Sequence, residues 1–206
     1  MTQESNETSA RDRNVLLGVT AVGGAAILTS YALAIANVGN LFKPVAGEKE
    51  AQGNYFDSPF WVGISQQSAK ALSGLQLMAA IGFIVLILWR ALAEQQPSTG
   101  VLRQLPVFTI VVVTFLMASL AWPYLARWAL TSPSPISVGL CVTSLIVAAL
   151  SVILMIADTF EAGKEAPWYA LAASLFLGLV VVLADGVGWS AALILSYKEG
   201  RLVPAE

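Results

Sequence analysis

Five apolar runs, each about as long as a bilayer is thick, decide what this chain can fold into. A hydrocarbon core of about 30 Å is crossed by about 20 helical residues. Residues 15–37, 70–93, 105–129, 137–157 and 168–197 all reach that length with few charges inside them. In lipid, backbone amides must be satisfied within the protein, which runs of this length achieve as helices. The composition agrees: 57% of residues are hydrophobic and 12% charged, against roughly 25% charged in a soluble domain. The expected fold is all-α, a polytopic integral membrane bundle of five transmembrane helices. A polar tail at 1–14 precedes the bundle at 15–197, and a short polar tail at 198–206 follows it.

The connectors are polar or turn-forming, and only the one between the first and second spans is long. Within it Ser58 is suited to cap a helix with Pro59 at the first helical position, where its missing N–H costs nothing. With Phe60 and Trp61 at interface depth, a helix starting there either lies on the membrane surface before the second span or, as expected here, extends it. The segment from Asn37 to Pro59, with Tyr55 and Phe56 beside Lys43, Glu48, Lys49 and Glu50, is long enough to form a recognition surface for a partner. The first apolar stretch, Val15 to Ala36, exceeds the 7 to about 15 residues of a signal-peptide core, so it is expected to be retained. The A-x-A pattern at Ala34 and Ala36 marks the alternative, a four-span mature protein. Arg11 and Arg13 just before the first span favour a cytoplasmic N-terminus, although the loops as a whole carry no basic bias. Which membrane the chain occupies is not written in its sequence.

The residue inventory excludes much chemistry. There is no histidine, which removes histidine-ligated haem, Ser-His-Asp triads and histidine-bearing zinc sites. A single cysteine, Cys141, allows neither an intrachain disulfide nor a thiol relay and is expected to be a buried hydrophobe. The 11 basic residues are scattered between apolar runs, so nucleic acid is not an expected partner. Lys70 and Ser73 stand three apart on one helical face, the spacing of a serine–lysine dyad; an interfacial lysine is the simpler reading. In "DTFEAGKE", Asp158, Glu161 and Glu165 could offer oxygen ligands to a cation, but a solvated helix end balanced by Lys164 explains them better. No catalytic residue, cofactor site or metal site is expected.

Two fragments resemble patterns of the microbial rhodopsins: "RWALTSP" is similar to that family's third-helix Trp-Thr-Pro pattern, and "LADGVGW" to the Asp preceding its retinal lysine. The residue four positions after Asp185 is Trp189 rather than lysine, so no Schiff base can form there, and five spans do not make a seven-helix retinal pocket. The chain is therefore not placed in that family.

Other span features concern packing. Ala21 and Ala25 lie at small-xxx-small spacing beside Gly23 and Gly24, which lets another backbone approach, most simply within the bundle. Pro123 is expected to kink the third span. Trp122, Tyr124 and Trp128 are expected to form an interfacial girdle with Arg127 snorkelling beside them.

Asp185 is the one acid inside an otherwise apolar run, and such a residue is a functional-site candidate by default. Alternation of the spans puts Lys70, Arg127 and Lys198 on one side. The fifth run, 30 residues or about 45 Å of helix, can carry Asp185 into that half. The expected arrangement is an intramembrane pair of Asp185 with Arg127, with Lys70, Gln76 and Ser190 as further candidates; the second reading ends the span near Ala184, with "DGVG" as an interfacial glycine-rich turn. The functional expectation is a non-catalytic accessory or scaffold subunit that associates with membrane lipids and other membrane proteins. The alternative is a small transporter or channel in which Asp185 is the protonatable or cation-binding residue, lined by Gln76, Thr114, Ser119, Ser144, Ser174 and Ser190.

Overall fold

The computed structural model describes residues 3–36, 61, 65–93, 102 and 104–202. Nearly all of them are helical, with no strand among the described residues. The five long helices are α1 (Gln3–Ala36), α2 (Gln66–Leu92), α3 (Leu105–Thr131), α4 (Pro135–Glu161) and α5 (Trp168–Lys198). Each holds a stretch long and apolar enough to cross a membrane. The chain is a multi-pass, all-α membrane bundle, as its hydropathy predicts. The segment 37–60, including Ser58, Pro59 and the expected recognition surface, lies outside the described residues.

Local chemistry sets the helix ends. Ser65 is extended, and its side chain accepts from the Ser68 backbone N–H at 3.2 Å, so α2 begins at Gln66. A helix from Ser58 therefore does not continue unbroken into the second span, because Ser65 leaves helical geometry to cap it. Trp61, expected at the interface, is buried in a cluster with Trp122 and Trp189. Between α3 and α4 the chain turns within a few residues. Ser134 and Ser137 cap each other reciprocally, at 3.1 Å and 3.0 Å, with Pro135 at the first helical position, which satisfies two of the N–H groups a helix start leaves open. A 3-10 turn at Gly163–Glu165 joins α4 to α5.

The packing contacts close a ring in the order α1, α3, α4, α5, α2. Side chains fill its middle, among them Phe83 of α2 against Phe115 of α3, ring centroids 5.1 Å apart. Towards the end where α3 turns into α4, Trp122 meets Tyr31 of α1 at 5.9 Å and Trp189 of α5 edge-on at 5.4 Å. Trp122 is thus a core residue and not part of the expected girdle, while Tyr124 and Trp128 remain exposed. Pro123 sits within α3, whose helix continues past it. Cys141 is buried, with a free thiol.

The fifth helix is not uniform. Trp168–Gly178 and Ser190–Lys198 are α-helical, but Leu179–Trp189 between them is a π-helix of 11 residues. In such a segment each amide bonds the carbonyl five residues back. The two glycines fit this winding. A Cβ on Gly186 would lie 3.1 Å from the Val181 carbonyl oxygen and 3.1 Å from Ala149 Cβ on α4, and one on Gly188 would lie 3.3 Å from the Leu183 carbonyl oxygen. Glycine therefore admits both the wide turn and the close approach of α4.

Candidate functional site

Two carboxylates on the membrane-spanning helices, Asp158 and Asp185, bond side chains of α2, and the fold treats them differently. Asp185 stands inside the π-helical segment, 17 residues after the start of α5 and 13 before its end (168 to 185 and 185 to 198). It is half-buried, and its Oδ1 accepts a hydrogen bond from Gln76 Nε2 of α2 at 3.2 Å. Of the residues singled out from sequence, the structure brings together Asp185 and Gln76.

It does not bring Asp185 to Arg127. No hydrogen bond or ion pair joins them among the described residues. The facing of α3 is the reason: it meets α5 through Trp122 on Trp189, not through Arg127. Arg127 points outward beside Tyr124 and Trp128, at a depth where a long cationic side chain reaches the interface. Lys70 is exposed near the start of α2. Ser190 is buried, and its hydroxyl has no hydrogen-bond partner among the described residues. The same holds for Ser73, so Lys70 and Ser73 do not form a hydrogen-bonded dyad.

The remaining hydroxyls of the expected lining are mostly spent locally. Thr114 donates to the Ile110 carbonyl and faces outward, Ser144 donates to Cys141 and Ser174 to Leu171. Hydroxyls satisfied by their own helix need no water or solute to complete them. They do not converge on Asp185.

The second carboxylate was misjudged from sequence. Asp158, expected on a solvated helix end, is 1% exposed and forms an ion pair with Arg90 of α2, Nε to Oδ2 at 3.1 Å. Arg90, itself 1% exposed, also donates from Nη2 to the Leu102 carbonyl at 2.8 Å, and its guanidinium lies 5.3 Å from the Phe108 ring centroid. The planar, weakly hydrated guanidinium suits this mixture of carboxylate, carbonyl and aromatic face. Glu161 and Glu165 stay on the surface, so the three acids of "DTFEAGKE" do not converge. The available clue was position: Asp158 stands one turn before the end of α4, three residues after the buried Met155 on the same face.

The chemistry of the two sites follows from their partners. Around Asp158 a fixed cation offsets the charge and ties α2, α4 and the chain preceding α3 together. Around Asp185 a neutral amide offers one hydrogen bond to a group with about four lone-pair sites. No known protein family, curated protein or solved structure matches the chain.

Proposed function

We propose that this protein is a non-catalytic accessory subunit of the membrane that docks a helix of another membrane protein against α1. The observation carrying this reading is the placement of the small residues on that helix. Gly23 faces inward, where a Cβ would lie 2.7 Å from Leu116 Cδ1 of α3. Gly18, Ala21, Ala25 and Ala32 instead line the outward face, all exposed, and a Cβ on Gly18 would meet nothing within 4 Å. Their spacing of three, four and seven residues keeps them on one stripe. Only 11% of the most apolar stretch of α1 is buried, against 50% for α3. Between helices in lipid there is no hydrophobic driving force, so association rests on close backbone approach, which small residues allow. In this reading the N-terminus lies on the cytoplasmic side, supported by Arg11 and Arg13 just before the first span.

A photo-crosslinking side chain at Ala25 in native membranes tests the docking reading. A discrete protein adduct is expected, and it should be lost on Ala21→Phe while the melting temperature stays unchanged. Lipid adducts alone would overturn the proposal.

A further inference from the structure

We infer that Asp185, with Gln76, forms an intramembrane binding site for a single small cation, delivered as a proton or as Na⁺. The reading is independent of the docking proposal and uses a different pair of helices, α2 and α5. A carboxylate at mid-span has to have its charge offset, since an isolated ion is strongly disfavoured in a low-dielectric medium. The protein offsets Asp158 with Arg90. Around Asp185 it provides the Gln76 amide.

Among the described residues, the groups near Asp185 supply no counter-charge. On α2, Lys70 is six residues before Gln76, about 9 Å along the helix, and exposed. On α4, Gly186 meets Ala149 and the Leu145 carbonyl oxygen; the nearest titratable groups on that helix are Cys141, one turn from Leu145, and Asp158, nine residues beyond Ala149 and engaged by Arg90. On α5 the other titratable side chains are Tyr169, Tyr197 and Lys198 at the helix ends. Across the ring α3 presents Trp122 to Trp189, with Arg127 pointing outward.

Other features suit a bound cation. Asp185 is partly buried between α2 and α4. Gln76 holds a carbonyl oxygen on the same amide that donates to Asp185, and a turn of that amide offers it to a cation. The π-helical winding at 179–189 departs from α geometry at the depth of the acid, and such windings recur at functional sites. Mid-depth sites on discontinuous helices are where ion-coupled membrane proteins hold their ions.

The test uses the intact wild-type protein in detergent and in vesicles, labelled with a hydrophobic carbodiimide and read residue by residue by mass spectrometry. The reagent adds to a protonated carboxyl in an apolar setting. Labelling is expected at Asp185 and not at Asp158, whose carboxylate is held by Arg90. If Na⁺ suppresses it while choline does not, the cation is Na⁺. If labelling follows pH and ignores Na⁺, the site is a proton site. Gln76→Leu should move the midpoint of either curve by about threefold or more, the worth of one hydrogen bond. Absence of labelling at Asp185 between about pH 5 and pH 9, equal labelling of Asp158, or an unmoved midpoint in Gln76→Leu would each overturn the inference.

Discussion

Asp158 and Asp185 are both carboxylates on membrane-spanning helices, yet one is part of the scaffold and the other is left chemically open. Asp158 sits one turn from the end of α4, where Arg90 at the end of α2 meets it at 3.1 Å and reaches the Leu102 carbonyl as well. Asp185 sits midway along α5 and meets the amide of Gln76. A charge matched by a fixed opposite charge has one stable state, whereas one matched by a neutral amide leaves room for a mobile partner. Ion pairs in the interior are worth little over apolar replacements but are costly to break singly. That asymmetry makes the two sites separable by experiment.

The largest effect should come from Arg90→Leu, which leaves Asp158 buried without its cation. A loss of about 3 to 5 kcal/mol is expected, on the scale of other broken buried pairs, visible as a drop in melting temperature in detergent. Pairing it with Asp158→Leu should recover most of the loss. If the double variant is as unstable as the single, the ion pair is not what Arg90 contributes. Gly186→Val comes next, because a side chain there collides with the Val181 carbonyl and with Ala149. Overpacking of this kind costs about 1 to 3 kcal/mol, and unchanged stability would mean that α5 does not need its wide turn.

Smaller effects distinguish the open site. Asp185→Asn keeps a hydrogen-bonding partner for Gln76 and should alter stability by less than about 1.5 kcal/mol, the scale of one hydrogen bond. A loss as large as that of Arg90→Leu would make Asp185 a scaffold residue like Asp158 and erase the contrast. Smallest of all should be the coupling between Arg127→Gln and Asp185→Asn. Sites without shared partners add within about 0.3 to 0.5 kcal/mol, and a larger coupling in a double-mutant cycle would restore the Asp185–Arg127 pair that the outward turn of Arg127 separates.

Much of the molecule was legible because bilayer insertion is a local, one-dimensional constraint. Each of the five apolar runs declares its own helix. Asp185 was conspicuous for the same reason, as a charge inside an apolar run. Its partner was not, because Gln76 is 109 residues away and hydropathy carries no record of which helix faces which. Counting spans placed Lys70, Arg127 and Lys198 on one side of the membrane, but a shared side is weaker than a shared helix contact. Arg90 and Asp158 were missed because charges near span ends read as solvated, and their burial depends on α2 and α4 meeting the chain before α3. The girdle expectation for Trp122 failed in the same way, since an aromatic near a helix end can turn to lipid or to core.

Sequence by itself determined that this protein crosses the membrane as a bundle of helices, because apolar length and backbone hydrogen bonding leave one solution. The ring order, the burial of Arg90 with Asp158, the meeting of Asp185 with Gln76 and the outward turn of Ala21 and Ala25 were decided only by tertiary structure. Each depends on the rotation of one helix relative to another. Close packing across the bundle sets that rotation, and no single span encodes it.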